Sequence, residues 1–228
     1  MNPWVIKARS LARKTGVIGL INRVRPSGSY EEDVHKALAG AVKPGDVVWD
    51  VGVNGGVYTE QFCSWVGRGG FVVAFEPWAE SCARIRERLP DCAWLQVENV
   101  ALGAADAQGR LVTEQESVEN HIATEADSLN GDAGSFPITI CRGDTASQRL
   151  GRVPNVIKVD VEGFEEEVLN GMGALLASST LRSVLTEVHF LKLEKRGRMT
   201  APSRMEKLLK ANGFKTRWVD ASHLFATR

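Results

Sequence analysis

Short apolar runs recur along this chain, and between them apolar positions fall three and four residues apart. Alternation of these two periods predicts an α/β protein with a doubly wound, mostly parallel sheet and helices on both faces. Residues 30–42 place Val34, Ala37, Leu38 and Ala41 on one helical face, and Lys43-Pro44-Gly45-Asp46 breaks that helix before the first strand. Residues 57–66 read as a helix, and 70–76 as a strand closed by Glu76. Pro77 suits a first helical position, with Trp78, Cys82, Ile85 and Leu89 as the stripe behind it. A short third strand covers 93–97.

The winding pauses over residues 99–155. Gly103, Gly109, Gly131 and Gly134 punctuate this stretch, β-like runs occupy 110–113 and 137–140, and no helical stripe shows. The pattern predicts an inserted hairpin and a mobile polar loop around 116–135. Winding resumes with a strand at 155–160, a helix at 164–170, a strand at 181–189 and a helix at 202–211 stopped by Asn212-Gly213. Strands at 214–219 and 223–227 close the chain. The expected sheet thus has seven strands and a terminal antiparallel pair, which suits a methyltransferase sheet better than a dehydrogenase one.

Composition narrows the class. A length of 228 residues suits one domain after a basic leading segment, so 1–29 and 30–228 are the expected units. Formal charge is balanced, which gives no sign of a nucleic-acid partner. The first 25 residues nonetheless carry Lys7, Arg9, Arg13, Lys14, Arg23 and Arg25 with no acid. Trp4, Ala8, Leu11 and Ala12 give this segment a short apolar face. Docking on its own domain or on a sister subunit in a homo-oligomer is the favoured reading, over weak peripheral contact with an anionic membrane. No run has the length of a transmembrane span, and no signal-peptide core is present. Cys63, Cys82, Cys92 and Cys141 lack metal-ligand spacing and read as free thiols of a cytoplasmic protein.

The chemistry concentrates where the first strand ends. Val47-Val48-Trp49-Asp50-Val51 passes directly into Gly52-Val53-Asn54-Gly55-Gly56 and then into a helix. Strand, glycine turn and helix N-terminus together form a nucleotide crevice. A dinucleotide fold wants G-x-G-x-x-G, whereas Asp50, Gly52, Asn54 and Gly56 mark the turn here. An acid two residues before the first glycine suits a cationic ligand such as S-adenosylmethionine rather than a pyrophosphate. Glu76 follows about 20 residues after the turn, where a carboxylate can accept hydrogen bonds from both hydroxyls of an adenosine ribose. The competing reading makes Asp50 and Glu76 helix caps. Turn, spacing and strand context together favour the nucleotide.

Three motifs in order give this chain a family resemblance. They are the glycine turn, then Asn99-Val100-Ala101-Leu102-Gly103, then Ile157-Lys158-Val159-Asp160-Val161-Glu162-Gly163-Phe164-Glu165 running on to Val168-Leu169-Asn170-Gly171. Together they resemble the FkbM family of S-adenosylmethionine-dependent methyltransferases. Val53 stands where the family has alanine, and Gly143-Asp144 where it often has Leu-Asp. The resemblance implies a Rossmann-like class I methyltransferase acting on hydroxyls of sugars or secondary metabolites, so a glycan or other small molecule is the expected acceptor. It carries cofactor roles to Asp50, Gly52, Asn54, Gly55 and Gly56, to Glu76 at the ribose, and to Asn99, Val100 and Ala101 near the adenine.

An alcohol needs a base before it attacks a sulfonium methyl. Asp160 ends the fourth strand beside the crevice, and Glu162 lies two residues on. Glu187 and His189 end the following strand with the same spacing. These four are the candidate catalytic residues, with Asp160 or His189 as general base. A divalent cation held by Asp160, Glu187 and His189 is a rival role. A third reading has Glu162 and Glu165 only capping the next helix and pairing with Lys158, and for Glu165 that reading is favoured. His121, in the polar insert, is a further candidate if the loop closes as a lid. Two other classes compete with a methyltransferase: a nicotinamide-dependent oxidoreductase, opposed by the missing dinucleotide glycines, and a non-catalytic nucleotide-binding module.

Overall fold

The computed structural model describes residues 28–113, 120–122 and 135–228. The basic segment 1–25, most of the polar stretch 116–135 and the His121 side chain lie outside the described residues. The chain runs through α1 (Gly28–Ala41), β1 (Val47–Val51), α2 (Val57–Val66), β2 (Phe71–Phe75), α3 (Ala79–Arg88) and β3 (Leu95–Glu98). Next come β4 (Ala101–Gly103), β5 (Ala107–Thr113), β6 (Asn120–Ile122), β7 (Ser135–Arg142) and α4 (Gly143–Leu150). The last third holds β8 (Val156–Val159), α5 (Glu165–Asn170), α6 (Gly173–Ala177), β9 (Ser183–Glu187), α7 (Phe190–Lys195), α8 (Ala201–Ala211), β10 (Lys215–Trp218) and β11 (His223–Thr227).

Seven strands form the main sheet in the order β10-β11-β9-β8-β1-β2-β3. The pairs from β9 to β3 are parallel, and β11 runs antiparallel to both β9 and β10. The expected Rossmann-like sheet with its terminal antiparallel pair is therefore present. Side-chain alternation explains its two covered faces. Trp49, Val51, Ile157 and Val159 join Leu169, Leu176 and Met205 in one core, while Val48, Val72, Val156 and Leu185 join Leu38 and Phe62 in the other. β1 leads outward to β2 and β8 outward to β9 on opposite sides. A crevice opens at the carboxyl ends of β1 and β8, where the winding reverses.

The insert is larger than the predicted hairpin. It forms a four-stranded sheet in the order β4-β7-β5-β6, with β4 parallel to β7 and the other pairs antiparallel. Ala101, Leu111 and Ile138 make its small core, packed against Trp78 and Phe164 at the crevice rim. The insert also contains α4, where the sequence shows no helical stripe. Gly143, Asp144, Ala146 and Ser147 form the buried face of α4, so no large apolar residue advertises it. Two further boundaries move. The Glu76 carboxylate accepts the Trp78 N–H at 2.9 Å, which holds residues 76–78 in a turn and delays α3 to Ala79 rather than Pro77. β9 stops at Glu187, so His189 is not a strand residue but the N-cap of α7. Among the described residues, no helix is long and apolar enough to cross a membrane.

Candidate functional site

The crevice is an open cleft lined by both polar and apolar side chains. Gly52 and Asn54 from the glycine turn, Glu76 from the end of β2, and Asp160 and Glu162 from the end of β8 supply its polar lining. Phe75, Ala101, Leu102 and Leu111 supply apolar wall, with Ala101, Leu102 and Leu111 contributed by the insert sheet. Gly52 follows β1 directly and packs against the backbone that follows β8. Its φ is +81°, and a Cβ there would lie 1.8 Å from the Asp160 carbonyl oxygen. Only glycine satisfies both constraints. Asn54 also adopts a left-handed conformation, with φ of 48°, and so aims its N–H at the Glu76 carboxylate, 3.1 Å away.

Glu76 is thus a buried carboxylate anchored by two backbone N–H groups, from Asn54 and Trp78. Burial pushes its pKa up, and these N–H groups pull it partly back. The Asn99 amide donates to the carbonyls of Glu76 and Pro77 at 3.0 and 2.9 Å. It fixes the turn that carries Glu76 and does not line the cleft. Val100 packs into the main core, whereas Ala101 forms cleft wall.

Asp50 behaves differently from its sequence-based expectation. It does not line the cleft; it lies beneath the turn, 1% exposed. Its Oδ2 accepts the Thr59 hydroxyl at 2.7 Å, and its Oδ1 lies 3.6 Å from the Lys158 ammonium. Burial raises its pKa, opposed by Lys158 and Thr59. Lys158 is itself buried and reaches Asp160 Oδ2 at 3.2 Å. Burial disfavours its ammonium, but Asp160 and Asp50 outweigh that penalty and raise its pKa. One lysine therefore ties the two strand-end acids of β1 and β8 together, and its pairing is with them rather than with Glu162 or Glu165. Gly55 and Gly56 lie outside the lining; Gly56 caps α2 at φ 77°.

Beyond β8 the chain turns through left-handed Glu162 (φ 54°) and Gly163 (φ 97°). This turn brings Glu162 to the cleft although the backbone is no longer extended. His189 reaches the same spot from the start of α7. Its Nε2 lies 3.2 Å from Glu162 Oε2 and 3.6 Å from Asp160 Oδ1, while its Nδ1 meets Glu165 Oε1 at 2.6 Å. Burial disfavours a charged ring here, yet Glu162 and Glu165 hold the His189 pKa well above its ordinary value. Burial alone would raise Glu162, but His189 and Lys192 bring it down to about 2. Asp160, Glu162 and His189 each offer one ligand-type atom within 4.8 Å of the others. Glu187, placed in the expected cation set, is not in this group. With the strand ending at Glu187, two-residue spacing no longer puts it beside His189, and its carboxylate pairs with His223 at 3.3 Å.

Residues 50–216, more than half of the chain, match the methyltransferase FkbM domain. This chain belongs to the FkbM methyltransferase family. A hexuronic acid methyltransferase of Haloferax volcanii, AglP, is 35% identical over 161 residues, covering 70% of this chain and 62% of its own. The chain therefore spans less than two thirds of that relative's length. Among solved structures, an FkbM methyltransferase from Methylobacillus flagellatus aligns at a TM-score of 0.52 and 13% identity, covering 80% of this chain and 43% of that one. A chain of a fibrillarin/Nop5p complex aligns at 0.50 and 10%, covering 81% and 72%. These two show a shared fold.

Within the FkbM domain, the sequence identifies Gly52, Asn54, Glu76, Ala101, Asp160 and Glu162 as site residues, and all six line the cleft. It misses Thr59 and Lys158, which brace the floor. Lys158 sits in an apolar strand, and that context is the available signal: a lysine there needs buried acids. Asp144, set slightly apart by its departure from the family pattern, caps α6 through the Ala174 and Leu175 N–H groups. Its role is structural.

The neighbouring His223 offers a test of the electrostatics around Glu187. Burial disfavours its charged form, but Asp220 and Glu187 raise its pKa from 6.5 to about 9. A raised folded-state pKa contributes stability in full below pH about 6.5, and that contribution is lost as pH climbs through about 9. At full strength it amounts to about 3 kcal/mol. His223→Asn should therefore lower the melting temperature much more at pH 6.5 than at pH 10. An equal loss at both pH values would refute the ion-pair account.

Proposed function

We propose that this protein transfers the methyl group of S-adenosylmethionine to a hydroxyl of a sugar, with a hexuronic acid as the favoured acceptor. The observation that carries the reading is the convergence of Gly52, Asn54, Glu76, Asp160 and Glu162 on one cleft at the winding reversal. The named activity of the Haloferax volcanii relative supports the acceptor class. The four cysteines are free thiols, which fits work in a reducing compartment such as the cytoplasm.

The residues fit the cofactor. Asn54 and Trp78 hold Glu76 as a fixed acceptor for ribose hydroxyls, and the apolar wall of Phe75, Ala101, Leu102 and Leu111 suits an adenine. The excess of carboxylates along the cleft suits a sulfonium. When bound, S-adenosylmethionine supplies a methyl carbon already activated for attack by oxygen. The chain must then orient the acceptor and take its proton. Asp160 is best placed for that. It lines the cleft, whereas His189 lies outside the lining and Glu162, which His189 and Lys192 pull down to about 2, is a poor base.

Calorimetric titration with S-adenosylmethionine and S-adenosylhomocysteine tests the first half of the proposal. Wild type should bind with micromolar affinity, and Glu76→Ala should lose at least tenfold, roughly 1.4 kcal/mol or more. Asp50→Ala should also lose affinity, through Lys158 and the turn above it. No saturable binding to wild type would rule out the methyltransferase reading. For the acceptor, uronic acid glycosides should yield an alkali-stable methyl ether; an alkali-labile ester would move the methyl to the carboxylate.

A further inference from the structure

The glycine turn and Glu76 lie over β1 and β2 and claim that side of the winding reversal for the cofactor. The acceptor must then approach over the ends of β8, β9 and β11, which are successive neighbours in the sheet. A row of side chains crosses those ends. Lys158 pairs with Leu185 in the β8–β9 register, and Glu187 lies two residues on within β9, hence on the face of Leu185. Asp160 shares that face, because its Oδ2 meets Lys158 Nζ at 3.2 Å. His223 stands opposite Glu187 in the β9–β11 register. Asp160, Glu187 and His223 thus occupy neighbouring strand ends, about 4.8 Å apart from one strand to the next.

Of the group formed by Glu187, His223 and Asp220, one member is open. The Glu187 side chain is 29% exposed, whereas those of His223 and Asp220 are each 7% exposed. Backbone fixes the far end: Asp220 Oδ1 accepts the Ser222 and His223 N–H groups at 2.7 and 2.8 Å. Asp220 Oδ2 meets His223 Nδ1 at 2.8 Å, and His223 Nε2 lies 3.3 Å from Glu187 Oε2. The turn between β10 and β11 needs Asp220 alone. The buried ring carries that anchorage across to β9, where it ends in a partly open carboxylate one strand from Asp160. Glu187 lies outside the cleft lining, so neither the ribose nor the proton transfer uses it.

We propose that Glu187 binds the acceptor, its carboxylate accepting a hydrogen bond from a sugar hydroxyl next to the one that Asp160 deprotonates. His223 and Asp220 are positioning residues that act through Glu187. This role rests on the proposed methyl transfer to a sugar. A carboxylate is acceptor-only, and the ring neighbours of the reacting hydroxyl are the donors it can meet. A pyranose ring laid across the ends of β8 and β9 spans one strand spacing and touches both acids. A fixed second contact sets the register of the ring, and so decides which hydroxyl reaches Asp160.

Steady-state kinetics on a uronic acid glycoside and its monodeoxy analogues, paired with calorimetry of S-adenosylhomocysteine, carry the test. Glu187→Ala should raise the acceptor KM about ten- to a hundredfold, the weight of a hydrogen bond to a charged group. Glu187→Gln, which keeps an acceptor oxygen, should lose less. The loss should sit in KM rather than kcat, with cofactor affinity within about twofold of wild type. His223→Ala should raise KM in the same sense, and His223→Gln, whose amide N–H can still reach Glu187, should recover part of it. One monodeoxy acceptor should be as poor for wild type as the full acceptor is for Glu187→Ala, and no poorer still for that variant. Unchanged KM in Glu187→Ala would overturn the proposal. So would a KM rise matched by equal losses of kcat and cofactor affinity, or equal sensitivity of wild type and variant to every deoxy analogue. Absence of cofactor binding to wild type, or of turnover of any uronic acid glycoside, would instead strike at the reading on which the proposal rests.

Discussion

Asp160→Asn should lower kcat by about 10²–10⁴-fold, the usual weight of a general base, while leaving fold and cofactor affinity close to wild type. The amide can still accept a hydrogen bond from the acceptor hydroxyl but cannot take its proton. Little else depends on the charge. The backbone N–H of Asp160 donates to Val51 carbonyl oxygen at 2.8 Å irrespective of side chain, Lys158 keeps Asp50 as partner, and His189 keeps Glu162 and Glu165. The side chain is 27% exposed, so the lost ion pair is partly screened. A pH profile sharpens the result. With a carboxylate base, wild-type kcat should be nearly level from pH 6.5 to 8.5. If His189 were the base, its raised pKa would move the loss of its ring proton towards alkaline pH, and kcat would rise with pH instead of staying level. A rising limb combined with an active Asp160→Asn variant would transfer the role to His189.

How much of this could be read without coordinates depends on how local each signal is. The strand-turn-helix at Val47–Val66 and the strand ending in Glu76 are contiguous in sequence, and their periods change from two to 3.6 at the right places. They were legible as elements and as chemistry. Glu187 shows the limit. Its pairing with His189 follows from period-two spacing, which holds only while the chain is extended, and β9 ends at Glu187. Glu162 reaches the cleft for a different reason from the one its spacing suggests, through a left-handed turn that no local pattern announces. A glutamate in a first helical turn ordinarily caps, and the sequence alone favours that for Glu165; its partnership with His189 spans 24 residues and depends on where α7 begins. α4 was hidden because alanine and serine form its packed face. What stayed illegible was contact between distant segments, not the identity of the segments.

Gly52→Ala should be the most disruptive single methyl in the molecule, costing a few kcal/mol of stability and abolishing measurable cofactor binding. Two penalties add. At φ +81° an alanine is strained by about 1–2 kcal/mol. The added Cβ would also lie 1.8 Å from the Asp160 carbonyl oxygen and 2.7 Å from its carbonyl carbon. Those are backbone atoms, and the Asp160 N–H is already committed to Val51, so β8 cannot yield without opening its pairing with β1. The structure can relieve the clash only by separating the two strand ends that build the cleft. Gly56→Ala is the matched control. Its φ is similar at +77°, but the nearest atom to its Cβ is Ile85 Cγ1 at 3.4 Å, an ordinary contact. It should lose only the strain component, about 1–2 kcal/mol, and retain cofactor binding. Thermal melts and calorimetry on the pair separate strain from collision. Equal losses in both variants would mean that conformational strain alone governs the turn, and that the close approach of β1 and β8 at Gly52 does not shape the site.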